Sequence, residues 1–256
     1  MHNSERIVCW FSCGAASAVA TKLAIDQNQN KVPLVVVRCR IDEEHPDNDR
    51  FADDCAKWFG QEIVELTSEK YGSSIYNVFE RRKYIAGVAG APCTYHLKKE
   101  VRRAFQRTGD LQVFGYTVEE MARIDRFIDA NNDVTLWQIL IESNLTHADC
   151  LGLLDRVGIR IPAMYALGYR NNNCIGCVKG GAGYWNKIRL DFPDQFSRMA
   201  ALERKLGATL LKGQNGRIFL DELPTDFGRY ESEPEISCGI FCEAATRGIN
   251  GAMHHA

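Results

Sequence analysis

The chain has 256 residues, 45% of them hydrophobic and 25% charged, which is ordinary globular usage and excludes a wholly disordered chain, a collagen-like chain or a coiled-coil rod. Lys and Arg number 31 against 33 Asp and Glu, a formal charge of -2. The chain as a whole is therefore not a polycation that coats nucleic acid, though the balance leaves room for local patches.

No run reaches the roughly 18 consecutive apolar residues of a membrane span, and Met1 to Arg6 lacks the pattern of a secretory signal. The expectation is a cytoplasmic protein. At about 150 residues per domain, the length suits one large domain or one and a half.

The apolar run Ile7–Phe11 predicts a strand, and small residues from Ser12 to Ala18 predict a tight turn into a helix over Ala18–Ile25. Val32–Val37 predicts a second strand, apolar throughout as buried parallel strands are. A helix over Asn48–Phe59, a strand over Glu62–Leu66 and a helix over Ile75–Tyr84 follow. Thr94 is placed to cap a helix reaching Gln106, with a strand at Leu111–Gly115 and a helix at Val118–Ile128 behind it. Such alternation implies an α/β fold with a parallel sheet. Further on, His147–Val157 and Asp194–Leu206 read as helices, Asn171 to Gly183 as irregular, and 210–211 with 218–220 as a small hairpin. From Asp221 onward the chain reads as an acidic loop.

Four groups of residues carry chemistry. A small-residue turn entering a helix presents backbone N–H groups and the positive end of the helix dipole to an anion, and Ser12 and Ser17 add hydroxyls. The turn lacks the Gly-Lys-Ser/Thr ending of a Walker A loop. The same residues also suit a tight strand-to-helix turn with no ligand. Ten cysteines form the second group. Cys9, Cys39, Cys55 and Cys150 lie in apolar strand or helix patterns and read as buried small hydrophobes. Cys174 and Cys177 make a Cys-x-x-Cys, a spacing shared by metal knuckles and redox pairs. Cys93 precedes a helix, and Cys238 and Cys242 lie near the end. The candidate metal ligands are Cys93, Cys174 and Cys177 with Cys238 or Cys242, for iron–sulfur or zinc.

Third, Glu80–Arg107 holds eight Lys and Arg residues, and Lys98/Arg102 and Lys99/Arg103 at i,i+4 predict a positive stripe. A solvated helix face and a phosphate-bearing partner both fit it. Fourth, Gly115 to Arg123 joins a strand end to a helix, so that Arg123 or Arg126 stands where a phosphate could be clamped.

Taken in order, Phe11-Ser12-Cys13-Gly14-Ala15-Ala16-Ser17, Glu44-His45-Pro46-Asp47-Asn48 with Phe51, Gly115 to Arg123, Cys93 with Leu97-Lys98, Cys174 with Cys177, and Cys238-Gly239-Ile240 resemble the PP-loop ATP pyrophosphatase superfamily, in its phosphoadenosine phosphosulfate (PAPS) reductase-like branch. Cys13 stands where the family pattern has glycine, and the usual Asp-Thr-Gly after the second strand is replaced by Ile41-Asp42-Glu43.

The resemblance implies an adenine-nucleotide alpha-hydrolase-like fold. A nucleotide-binding domain would occupy residues 1–145, and a helical, cysteine-bearing region 146–256. It also implies ATP cleavage to AMP and pyrophosphate in support of sulfur incorporation into nucleic acid, DNA phosphorothioation first among the candidates. Phe11 to Ser17 and Gly115 would bind the nucleotide with Mg²⁺, and Ser12, Ser17, Lys98 and Arg123 would act on it. Cys93, Cys174, Cys177 and Cys242 would hold a [4Fe-4S] cluster, with Cys238 as a reactive thiol. A cysteine desulfurase would donate sulfur, with a nucleic-acid acceptor or further modification subunits as partners and a homodimer as a candidate assembly. The alternatives are a PAPS or adenylyl sulfate reductase releasing sulfite, and a nucleotide-binding partner protein that does not turn over.

Overall fold

Buried apolar residues on both faces make Arg6–Trp10 the central strand, β1, of a parallel sheet. In this computed structural model the described residues are 5–86, 90–213, 216–233 and 236. After β1 come α1 (Ala15–Asn28), β2 (Leu34–Cys39), α2 (Asp47–Phe59), β3 (Ile63–Leu66) and α3 (Ile75–Arg82). Then follow α4 (Pro92–Thr94), a π-helical turn at Tyr95–Lys99, α5 (Glu100–Phe105), β4 (Asp110–Val113), a 3₁₀ turn at Val118–Glu120 and α6 (Met121–Ala130). The remainder is β5 (Thr135–Trp137), α7 (Ile139–Glu142), α8 (His147–Arg156), α9 (Ala163–Ala166), α10 (Ala182–Asp191), α11 (Pro193–Leu206), β6 (Leu211–Gly213) and β7 (Gly216–Ile218), with 3₁₀ turns at Leu220–Glu222 and Tyr230–Ser232.

The elements sort into two units that exchange the chain several times. The first takes in residues up to Arg40, His45–Thr67 and Val101–Asn172; the second takes in Ile41–Glu44, Ser68–Glu100 and the described residues from Asn173.

The first unit holds a five-stranded, all-parallel sheet in the order β3-β2-β1-β4-β5. This is an α/β, Rossmann-like arrangement in which the chain winds outward from β1 in both directions. Cys9 pairs in register with Val36 on one side and Val113 on the other. Alanines on α1 (Ala15, Ala18, Ala20, Ala24) let that helix lie close on the strands, and α2, α7 and α8 pack around it. Cys9, Cys55 and Cys150 are fully buried in this core, and Cys39 is buried too, as their apolar settings predict. Among the described residues no helix is long and apolar enough to cross a membrane.

Asp47, in the first turn of α2, ties distant chain together. Its carboxylate accepts from Arg50 at 2.8 and 2.7 Å, from Arg160 at 3.3 Å and from the Ala163 N–H at 2.9 Å. Arg50 also donates to the carbonyls of Arg160 and Ile161. The Arg50 guanidinium holds the Asp47 carboxyl below its ordinary value.

In the second unit α3 packs on α4, α10 on α11, and β6 pairs antiparallel with β7. Trp185, Ile188, Met199, Leu202 and Leu220 form its buried centre. Glu203 is fully buried there and accepts from the Leu210 and Leu220 N–H groups at 2.5 and 2.6 Å. Burial pushes its carboxyl up.

Several elements depart from the sequence reading. The segment 92–105 starts two residues early, and its π-turn shifts the register of everything after it. β5, α7 and α9 form in stretches that the sequence reading left unassigned, and α10 begins inside the stretch read as irregular.

Because Asp47 is lowered in the folded state, its contribution is present at neutral pH and is lost as pH falls through that lowered value. Asp47→Asn is expected to cost about 1–3 kcal/mol at pH 7, the scale of hydrogen bonds to a charged group. Urea unfolding should show the difference from wild type shrinking as pH drops below about 4, the ordinary carboxylate range.

Candidate functional site

The order of the sheet reverses at β1, and the carboxyl ends of β1 and β4 therefore open a crevice, the usual ligand position in such sheets. The turn Ser12–Ser17 lies at that point. Phe11 still belongs to the sheet, donating its N–H to Val37 O at 2.8 Å, and its ring stacks on Phe51 at 6.0 Å. Cys13 then turns the chain with φ +56°. Gly14 returns to extended backbone, and α1 begins at Ala15 with no side chain capping it.

Ser17 closes the turn from inside. Its Oγ accepts from the Ser12 N–H and hydroxyl, both at 3.1 Å, and donates to Gly14 O at 2.9 Å. Ser17 is buried, whereas Ser12 is exposed and Gly14 and Ala16 are half-buried. The outer face thus offers the Ser12 hydroxyl and the first N–H groups of a 14-residue helix, a combination suited to an anion. Tyr165 of α9 leans over it: a Cβ on Gly14 would stand 3.4 Å from the Tyr165 hydroxyl. The Asp47–Arg50 network holds the chain that carries this tyrosine.

Gly115, two residues past β4, passes directly under the helix start. A Cβ there would lie 2.5 Å from Ser17 N and 2.7 Å from Ser17 Cα. Thr117 then begins a capping box with Glu120. Arg123 pairs with Glu120 and lies 5.5 Å over the Tyr116 ring. Arg126 donates back to Ala122 O at 2.9 Å on the exposed side of α6. Phe11 to Ser17 and Gly115 are thus brought together, while Arg123 is engaged one turn along α6.

The second unit holds Lys98, Cys93, Cys174 and Cys177. Lys98 Nζ lies 4.0 Å from Glu44, both nearly buried. Cys174 and Cys177 are buried in a turn whose Gly176 has φ +72°. The Tyr184 hydroxyl ties the two ends of that turn, accepting from Cys177 N–H at 2.9 Å and donating to Cys174 O at 3.2 Å. Glu233 in turn seats the first turn of α10, accepting from the N–H groups of Gly181, Gly183 and Tyr184 at 2.9, 2.6 and 3.2 Å. Among the described residues no three His, Cys, Asp or Glu side chains gather to hold a metal ion. Cys238 and Cys242 lie outside the described residues.

The positive stripe predicted through Lys98–Arg103 does not form. Lys99 and Arg102 are each 1% exposed. Arg102 donates to Asn131 at 2.9 Å and to Gln106 at 3.2 Å and faces the Phe127 ring. The π-turn carries the Glu100 N–H to Tyr95 O, which breaks the i,i+4 geometry the stripe needed. Arg81, Arg82 and Lys83 in the second unit, and Arg103 and Arg107 in the first, remain exposed.

No family model and no curated protein matches this chain. The sequence reading singled out Asn48 only as part of a motif and missed the roles of Tyr165, Asn172 and Tyr184, which with it shape these two turns. For the last three, no spacing signals a role.

Two substitutions test the geometry. Gly115→Ala is expected to lower stability by about 1–3 kcal/mol, the range for overpacking, as measured by thermal unfolding. Tyr184→Phe keeps the ring and removes the two hydroxyl bonds. It is expected to speed alkylation of Cys174 and Cys177, followed by mass spectrometry, with Cys9 unchanged as the internal control.

Proposed function

We propose that this chain is a nucleotide-dependent enzyme of the PP-loop type that cleaves ATP to AMP and pyrophosphate, in support of sulfur transfer to nucleic acid. The observation that carries the reading is the open first turn of α1 at the reversal of sheet order, flanked by the exposed Ser12 and the side-chain-free Gly115. Anions are held at such a place by backbone N–H groups and the helix dipole.

In this reading the N–H groups of Ala15, Ala16 and Ser17 hold the phosphates, and the Ser12 hydroxyl joins them by turning its proton from Ser17 Oγ to a phosphate oxygen. Ser17 keeps the turn in shape through its own Oγ. Charge developing on the departing pyrophosphate is met by donors already in place, which is how fixed dipoles lower a barrier. Arg123 joins them by exchanging Glu120 for a phosphate oxygen. Mg²⁺ would enter with ATP and supply positive charge against its phosphates.

Sulfur chemistry is supported by Cys174 and Cys177 on a turn that Tyr184 holds from both ends. The nucleic-acid acceptor rests on the resemblance and on the exposed Arg81, Arg82 and Lys83, since Lys99 and Arg102 are buried.

The test is pyrophosphate release from ATP and Mg²⁺ by anaerobically purified protein. Release is expected, and Ser12→Ala/Ser17→Ala is expected to lower its rate about 100-fold or more, the scale of lost oxyanion-type donors. Sulfite release from PAPS in the absence of pyrophosphate release would overturn the reading in favour of reduction.

A further inference from the structure

Cys13 stands in a conformation that L residues avoid. Its φ of +56° is strained for a residue with a Cβ and costs glycine almost nothing. Such a residue persists where its surroundings over-determine it. Here the surroundings come from two asparagines far apart in sequence.

The Asn172 side-chain NH₂ donates to Cys13 O at 2.7 Å and to Asn48 Oδ1 at 2.7 Å. The Cys13 thiol donates to Asn48 O at 3.8 Å. Cys13, Asn48 and Asn172 are 0%, 1% and 8% exposed, so water does not compete for these bonds. Two acceptor oxygens face one end of the Asn172 amide, and only its NH₂ end can satisfy both. Asn48 is fixed in its turn by the start of α2, where its N–H donates to His45 O at 2.9 Å.

We infer that Asn172, acting through Asn48 and Cys13, is a positioning residue that holds the anion-binding turn in its working shape. This rests on the reading of Ser12–Ser17 as the nucleotide-phosphate turn. The clamp takes over the part that a glycine at position 13 would play by its own conformational freedom. It fixes the direction of the Cys13 peptide, and hence where the Ser12 hydroxyl and the N–H groups of α1 point.

The experiment is hydrogen–deuterium exchange of the full chain without nucleotide, read at residues 12–17, alongside ATP binding in the presence of Mg²⁺. Asn172→Ala is expected to raise exchange within 12–17 at the Ser12 N–H, which donates to Ser17 Oγ, about tenfold, the size set by losing one or two neutral hydrogen bonds, with β1 and α8 unchanged. Asn172→Asp, which keeps the size and loses the donor, is expected to act the same way. In a Cys13→Gly background the same substitutions should have little effect, because glycine holds the left-handed conformation without help.

Unchanged exchange at 12–17 would overturn the inference. So would an equal rise in both backgrounds, or a rise that spreads to β1 and α8. ATP binding by the wild type that Asn172→Ala leaves intact would overturn it as well. The expected exchange pattern with no ATP binding by the wild type would support the clamp and remove the nucleotide reading instead.

Discussion

The closeness of Gly115 to Ser17 sets the geometry on which the candidate site depends. A parallel sheet that winds outward from its central strand leaves a gap where the carboxyl ends of β1 and β4 part. A helix start fills that gap only if the strand beneath it presents no side chain. At Gly115 even a methyl group would overlap the backbone of Ser17. The rest of the turn follows from this approach. Ser17 is pressed inward and satisfies its hydroxyl on Ser12 and Gly14, while the alanines of α1 let the helix descend onto the strands. Gly14, at the start of α1, supplies no side-chain cap to the N–H groups of its first turn.

This part of the molecule was legible in the sequence. An apolar run, a string of small residues and an alanine-rich helix leave few alternatives, and β1, α1, β2 and β3 lie within three residues of their predicted places. β5 was not legible. It is three residues long, none of them buried, too short for a strand pattern to stand out, and pairing with β4 creates it. α10 was hidden by glycines at 180, 181 and 183. Such residues normally mark a loop. Here Gly183 is small because the backbone of Arg229 and Tyr230 passes against it, and a Cβ would stand 2.5 Å from both. The glycine signal was real, but it reported close approach of another segment.

Charge was the least legible property. Spacing placed Lys98, Lys99, Arg102 and Arg103 on one solvated stripe, but the π-turn alters the angular step between residues and two of the four turn inward. Buried cations need partners, and Arg102 finds them in Gln106 and Asn131. Arg38 is likewise buried on β2 and reaches Asp49 at 3.1 Å and Glu65 at 3.3 Å. Formal counts of Lys and Arg therefore overstate the positive surface that a polyanion would meet.

The cysteines divide by the backbone they sit on. Cys9 and Cys55 lie among apolar side chains, and burial pushes their thiols far up; Cys150 is pushed up to about 12. A thiol kept protonated is a poor nucleophile and a poor ligand, so these three serve as packing. Cys13, Cys174 and Cys177 are also buried, but on turns where backbone polar groups converge. Asn172 holds the carbonyl of Cys13, and Tyr184 holds the carbonyl of Cys174 and the N–H of Cys177. Burial alone would place all six in one class. What separates them is that apolar contacts fix the first three and directed hydrogen bonds fix the backbone of the others. Directed bonds hold the backbone of these turns to one path, which at Cys13 is a left-handed one.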